Sequence, residues 1–370
     1  MTDYLKLALS GVQKLAPYQP GKPIEELERE YGVKNAAKLA SNENPLGPSP
    51  MAVEAMREAA KDVWLYPDGN GFELKTKLAQ RLGVEMKQIT LGNGSSDILQ
   101  FVMQAYVDRE AEVLFSQHSF AIYPILTQMM GAQAVVPPAK NWGVDLDAMA
   151  AAITDKTRVI FIANPNNPTG TWLKCDALAA FLDQVPERII VVLDEAYFEY
   201  AIDPATGAED YPDGIAWLAR YPNLIVSRTF SKVYGLAGVR VGYGVSHPQI
   251  ADVLNRVRPP FNVNSLALAA ARAALDDEEH LKKSVAMNAE GLTQLYAGFE
   301  AMGLAYIPSA ANFVSVDVGR EGAPVYELLL HEGIIVRPVA NYEMPSHLRI
   351  TVGTEEQNTR VLTALKKVLA

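Results

Sequence analysis

Cysteine is almost missing from this chain: Cys175 stands alone among 370 residues. One thiol can close no internal disulfide and build no cysteine metal cluster. Histidine is scarce too, and none of the five falls into a metal-ligand spacing such as HExxH. Lys and Arg number 33 against 43 Asp and Glu, a net charge of −10. With no basic stripe and no arginine-rich tract, that balance argues against a nucleic-acid partner, while leaving room for a phosphorylated small molecule met by local arginines. No apolar run approaches the ~20 residues of a membrane span. The opening MTDYLKLALSG has an early acid and no basic start, which makes a poor signal peptide. The expectation is a cytoplasmic protein acting on small molecules, with no metal, membrane or nucleic acid involved.

What is present is a normal globular mixture, 49% apolar and 21% charged, with enough length for a large and a small lobe. The expected division is an N-terminal arm over residues 1–45 that joins the small lobe, a large lobe over 46–260 and a small α+β lobe over 261–370. The arm holds Pro17, Tyr18, Pro20, Gly21 and Pro23, then a helix over 24–31. In KLASNENPLGPSP the residues Asn42, Asn44, Pro45, Gly47 and Pro48 make a fixed polar loop before a helix over 50–60. Apolar runs at 88–91, 112–116, 134–137, 158–163, 188–193 and 223–227 read as strands separated by helices. Runs of that kind predict an α/β fold: a mostly parallel sheet sandwiched by helices.

Chemistry gathers at the ends of these strands. SRTFSKVYGLAGVRVGYG, residues 227–244, presents Lys232 beside Thr229, Ser231 and Tyr234, with Arg240 inside a glycine-rich run. A lysine that bonds a carbonyl, next to hydroxyls and an arginine that grip an anion, suits pyridoxal phosphate, which carries an aldehyde and a phosphate. Gly94, Ser95 and Ser96 open a helix after a strand and offer free N–H groups and hydroxyls to an anion. Three strands end in polar residues: Asn167, then Asp194 and Tyr197, then Lys232. Ligands of open parallel sheets sit beyond the strands' carboxyl ends, so these four should converge in one crevice. Asp194 closes an apolar strand and needs a cation, which a protonated pyridine nitrogen supplies. Asn167 and Tyr197 can hydrogen-bond the ring oxygen. Thr229, Ser231 and Arg240 with Ser95 and Ser96 would hold the phosphate, and Phe120 could stack on the ring. In the small lobe Arg337 and Arg349 suit carboxylate or phosphate, one with help from Tyr18.

The ordered set PYQPGKP, SNENPLGPSP, YPDGNG, GNGSSD, NPNNPTG, DEAYFEY, SRTFSKVYGLAGVRVGYG, NFVSV, GIIVRPV and LRITVGT resembles the fold type I pyridoxal-phosphate aminotransferases, and among them those acting on histidinol phosphate, over nearly the whole chain. The resemblance implies that Lys232 bonds the cofactor and that Asp194, Asn167 and Tyr197 hold its ring. It matches Thr229, Ser231, Arg240, Ser95 and Ser96 to the phosphate. Tyr66 is similar to a tyrosine that reaches the phosphate in the neighbouring subunit, which implies a homodimer with shared active sites. Arg349 is similar to the arginine that takes a substrate carboxylate, and Arg337, Asn44 and Tyr18 to contacts at the far end of the substrate. Two positions depart from the pattern: Phe120 stands where tyrosine is common, and Ser96 where an acid is common. The implied reaction moves an amino group from glutamate to imidazole-acetol phosphate, giving histidinol phosphate and 2-oxoglutarate. An aromatic-amino-acid aminotransferase, a threonine-phosphate decarboxylase and a non-catalytic relative stay open as alternatives. Intact Lys232, Asp194 and Arg240 speak against the last.

Overall fold

The structure is a computed structural model and describes residues 2–16 and 21–370. Seven strands form the main sheet: β1 Ile89–Gly92, β2 Glu112–Phe115, β3 Gln133–Val135, β4 Thr157–Ala163, β5 Ile190–Asp194, β6 Leu224–Thr229 and β7 Gly242–Ser246. Their spatial order is β1-β7-β6-β5-β4-β2-β3. Only β7 runs against the rest. The expected α/β architecture with a mostly parallel sheet is what the chain adopts. Strand β5, IVVLD, is buried at every position, because the helices cover both faces. Alternation along the strands divides the core in two: Ile160, Ile162, Val191 and Leu193 fall on one side, and Val159, Phe161, Ile190 and Val192 on the other.

Strand β7 went unread in the sequence, because glycine is a weak strand signal. Its glycines are required by a helix lying across it, α1 Ser95–Tyr106. A Cβ on Gly242 would sit 2.5 Å from the Ser95 nitrogen, and one on Gly244 2.8 Å from Ile98. The start of α1 is thereby pressed against the sheet, close to the end of β6.

A second sheet contains β8 Tyr306–Ile307, β9 Phe313–Asp317, β10 Arg337–Pro338 and β11 His347–Thr351, ordered β10-β11-β9-β8 and antiparallel throughout. Residues Ala37–Lys38 pair in parallel with Ile334–Ile335, which ties the N-terminal segment to this half of the molecule. The helix Glu278–Ala301 joins the halves: Val285 enters the core of the main sheet, and Leu292, Leu295 and Phe299 that of the second. No helix among the described residues is long and apolar enough to cross a membrane.

Candidate active site

Parallel register aligns the strand ends. Ala163 lies opposite Asp194, and Asp194 opposite Ser227, so the loops after β4, β5 and β6 open into one crevice. Asn167, Asp194, Tyr197 and Lys232 all line it, together with Ser95, Ser96, Phe120, Thr229, Ser231, Arg240, Arg337 and Arg349. Residues about 180 apart in the chain meet there. The crevice also reaches Ala40, Ser41 and Asn42.

At one end is an anion cradle. Gly94, at φ 80°, turns the chain into α1, and a Cβ there would lie 2.5 Å from an Arg240 nitrogen. Arg240, itself at φ 61°, donates to Ser231 Oγ at 3.2 Å, to the Ala237 carbonyl at 3.0 Å and to the Asn93 carbonyl at 3.3 Å. All three partners are neutral oxygens, which leaves the guanidinium charge uncompensated beside the amino end of a helix. The Ser231 N–H donates to Thr229 Oγ1 at 3.1 Å, which holds both hydroxyls at the mouth.

In the middle stand an acid and an amine. Asp194 is 4% exposed. Its Oδ2 accepts from the Tyr123 hydroxyl at 2.9 Å, while its buried Oδ1 has no hydrogen-bond partner. Burial pushes its carboxyl up to about 6, against the opposing pull of Tyr123 and the Lys232 charge. The same burial, with the Arg349 charge behind it, pulls the Lys232 ammonium down to about 8. Lys232 Nζ donates to the Ser41 carbonyl at 3.2 Å. A lysine depressed in this way is a ready nucleophile near neutral pH.

Arg349 closes the other end, only 6% exposed. It donates to Asn167 Oδ1 at 2.5 Å and to the Ala40 carbonyl at 2.7 Å, and its buried Nε has no partner. Arg337 lies opposite it in register on β10. Such a fork, buried with only neutral oxygens, suits an incoming carboxylate.

Two expected residues stand apart from the crevice. Asn44 is buried beneath it, its amide donating to the Val233 carbonyl at 2.7 Å and Ser284 Oγ at 2.8 Å; it anchors the loop to the segment after Lys232. Tyr66 is 83% exposed and stacks on Phe261 with centroids 4.9 Å apart. Tyr18 lies outside the described residues. Sequence reasoning missed Tyr123, the partner of Asp194, and Asn42, whose amide donates to the Tyr197 hydroxyl at 2.9 Å. Asn42 stands in the same SNENP loop as Asn44, and sequence alone does not say which asparagine faces inward.

The residues fit pyridoxal phosphate. The Asp194 oxygen without a partner could accept from a ring N–H, the surroundings of Arg240 could hold an anion, and Lys232 could supply the amine for an aldehyde. Residues 34–365 match the model of the family described as aminotransferase class I and II. The chain is 61% identical over 370 residues to histidinol-phosphate aminotransferase 2 of Pseudomonas fluorescens, covering all of this chain and 99% of that protein. It is 59% identical to histidinol-phosphate aminotransferase 1 of Nitrosococcus oceani, covering 99% of this chain and 98% of the relative. The structure superposes on histidinol-phosphate aminotransferase of Sinorhizobium meliloti, solved in complex with pyridoxal-5'-phosphate, with a TM-score of 0.89, 33% identity and coverage of 97% of this chain and 96% of the other.

Proposed function

Since the chain belongs to the class I and II aminotransferase family, we propose that it carries an amino group from L-glutamate to imidazole-acetol phosphate, forming L-histidinol phosphate and 2-oxoglutarate with pyridoxal phosphate as cofactor. The supporting observation for the substrate is the 61% identity to a histidinol-phosphate aminotransferase along the whole chain. The ring of pyridoxal phosphate, when bound, withdraws the electrons left on an amino-acid carbon that has lost a proton. This chain's residues do the rest. Ser95, Ser96, Thr229, Ser231 and Arg240 hold the phosphate, and Asp194 keeps the ring nitrogen protonated. Asn167 and Tyr197 would donate to the ring oxygen, and Phe120 would pack against the ring. Lys232 would hold the aldehyde carbon, and its free amine, neutral above about pH 8, would carry the proton between two carbons. Arg349 binds the glutamate carboxylate. Arg337, with Tyr18, meets the second anionic group, glutamate's side-chain carboxylate or the phosphate of the partner substrate.

The same reading makes the protein a cytoplasmic homodimer, with the large lobe over 46–260, the small lobe over 261–370 and the arm over 1–45 beside it. Val63, Trp64, Leu65, Tyr66, Phe72 and Phe261 are all exposed, an apolar surface suited to a second copy. Tyr66 would extend from it toward the partner's phosphate cradle. The decisive test titrates the cofactor-loaded protein with histidinol phosphate, without any keto acid, and follows the visible band. Bleaching within one turnover is expected. A band that ignores histidinol phosphate but bleaches with tyrosine or phenylalanine would move the assignment to aromatic amino acids.

A further inference from the structure

The Tyr197 hydroxyl sits under two donors. Asn42 Nδ2 donates to it at 2.9 Å and Asn167 Nδ2 at 3.2 Å. Each amide could in principle turn over and offer its oxygen instead, which would draw the tyrosine's own hydrogen away from the crevice. Both are prevented by side chains of β11. Arg349 has only donors, so its bond to Asn167 Oδ1 fixes that amide with its nitrogen toward Tyr197. Thr351 does the same for Asn42. Its Oγ1 accepts from the Asn42 backbone N–H at 2.9 Å and then has its hydrogen to give, which goes to Asn42 Oδ1 at 3.1 Å. Were Asn42 reversed, Thr351 would face two N–H donors, and its own hydrogen would lose this acceptor in a buried position. Asn42 is held further by its left-handed backbone, φ 56°, and by the Asn312 amide donating to its carbonyl at 3.0 Å.

We infer that Thr351 and Asn42 are positioning residues that hold Tyr197 as an obligate hydrogen-bond donor into the crevice, toward the ring oxygen of the cofactor. This rests on the functional reading above. Burial pushes Tyr197 up to about 12, the Arg349 charge and the Asn42 bond opposing it, so the hydroxyl has its proton to donate at neutral pH. The charged and titratable groups around it include Arg349 of β11, Asp194 of β5, Tyr123, Tyr200, Tyr342 and Lys232, whose Nζ is 5.6 Å from the ring centroid. A donor on the ring oxygen weakens that oxygen's hold on the proton it shares with the bound Lys232 nitrogen. The second sheet, through Thr351 and Arg349 two residues apart on one strand, thus sets how acidic that nitrogen is.

The experiment is a pH titration of the visible band of the loaded protein, without substrate. Tyr197→Phe removes the donor outright and should raise the midpoint by about one pH unit, the scale of one lost hydrogen bond. Thr351→Val, equal in shape, should raise it by roughly half a unit or more on the same scale, and should add nothing in the Tyr197→Phe background. Thr351→Ser restores the hydroxyl and should return the wild-type midpoint. Thr351→Ala, which removes the same hydroxyl without a branched side chain, should repeat the upward shift and gives the same reading if Thr351→Val does not fold. A midpoint unmoved in Thr351→Val or Thr351→Ala but moved in Tyr197→Phe overturns the inference, as does Thr351→Ser shifting as far as Thr351→Val. A wild-type protein that takes up no pyridoxal phosphate overturns the functional reading itself, a result distinct from a coloured protein whose midpoint stays still.

Discussion

Asp194 and Glu195 are neighbours at the end of β5, both buried, and their surroundings are opposite. Glu195, fully buried, is saturated. One oxygen accepts from Arg228 Nε at 2.9 Å and Nη2 at 2.7 Å, and the other from the Gly214 N–H at 2.9 Å. Arg228 also reaches Asp213 at 2.6 Å and lies flat on Phe198, 3.4 Å from its centroid. Asp194 keeps one oxygen without a partner, and the amine facing the same crevice, Lys232, has only a backbone carbonyl. Successive residues of a strand point to opposite faces, so one β5 terminus serves two purposes. A buried charge with every partner in place braces the fold. A buried charge with a partner missing is kept for something that arrives later.

The comparison breaks most sharply at Lys232. Lys232→Ala should lower turnover by roughly four orders of magnitude or more, as loss of a covalent catalytic group does, with the circular dichroism of the folded protein unchanged. Full activity in this variant would remove the active-site assignment. Glu195→Ala should do the reverse. It leaves the buried Arg228 with Asp213 alone, and stability measured by urea unfolding should fall by about 3 kcal/mol, while the cofactor site, on the other face, loses no contact.

Arg349→Ala should raise KM for glutamate by roughly 10²-fold, the scale of a charge-assisted fork; an unchanged glutamate dependence would withdraw its role. The smallest effect concerns the stability of the cofactor-free protein. An acid whose folded pKa is raised binds its proton more tightly folded than unfolded, so stability falls as pH rises from about 4 to about 6 through Asp194. For Lys232 the depressed value means that stability is recovered as pH rises from about 8 toward 10.5. Asp194→Asn should therefore leave the cofactor-free protein as stable as wild type or about 1–2 kcal/mol more so at pH 7, even though it disables the loaded enzyme. A clear loss of stability would place Asp194 with Glu195 among the braces.

Much of this site was legible in the chain. Continuous apolar runs announced β4, β5 and β6, and the polar residue ending each one pointed to the crevice. Gly94-Ser95-Ser96 announced the anion cradle, because a helix start exposes its N–H groups whatever lies around it. The glycines of β7 concealed a strand, since their purpose, letting α1 lie close, belongs to a neighbour rather than to the strand. Asn44 and Asn42 are alike in sequence, and only packing sends one amide beneath the loop and the other to Tyr197.

By itself, then, the sequence determined most of the elements, their buried faces and the kinds of group at the strand ends around the crevice, because these follow from local periodicity and residue chemistry. Tertiary structure alone decided which polar atoms are satisfied and which way their hydrogens point. Thr351 orients Asn42 across 309 residues of chain, and Arg349 orients Asn167 across 182. The sense of a hydrogen bond depends on which donor folding brings within 3 Å, and no local pattern carries that information.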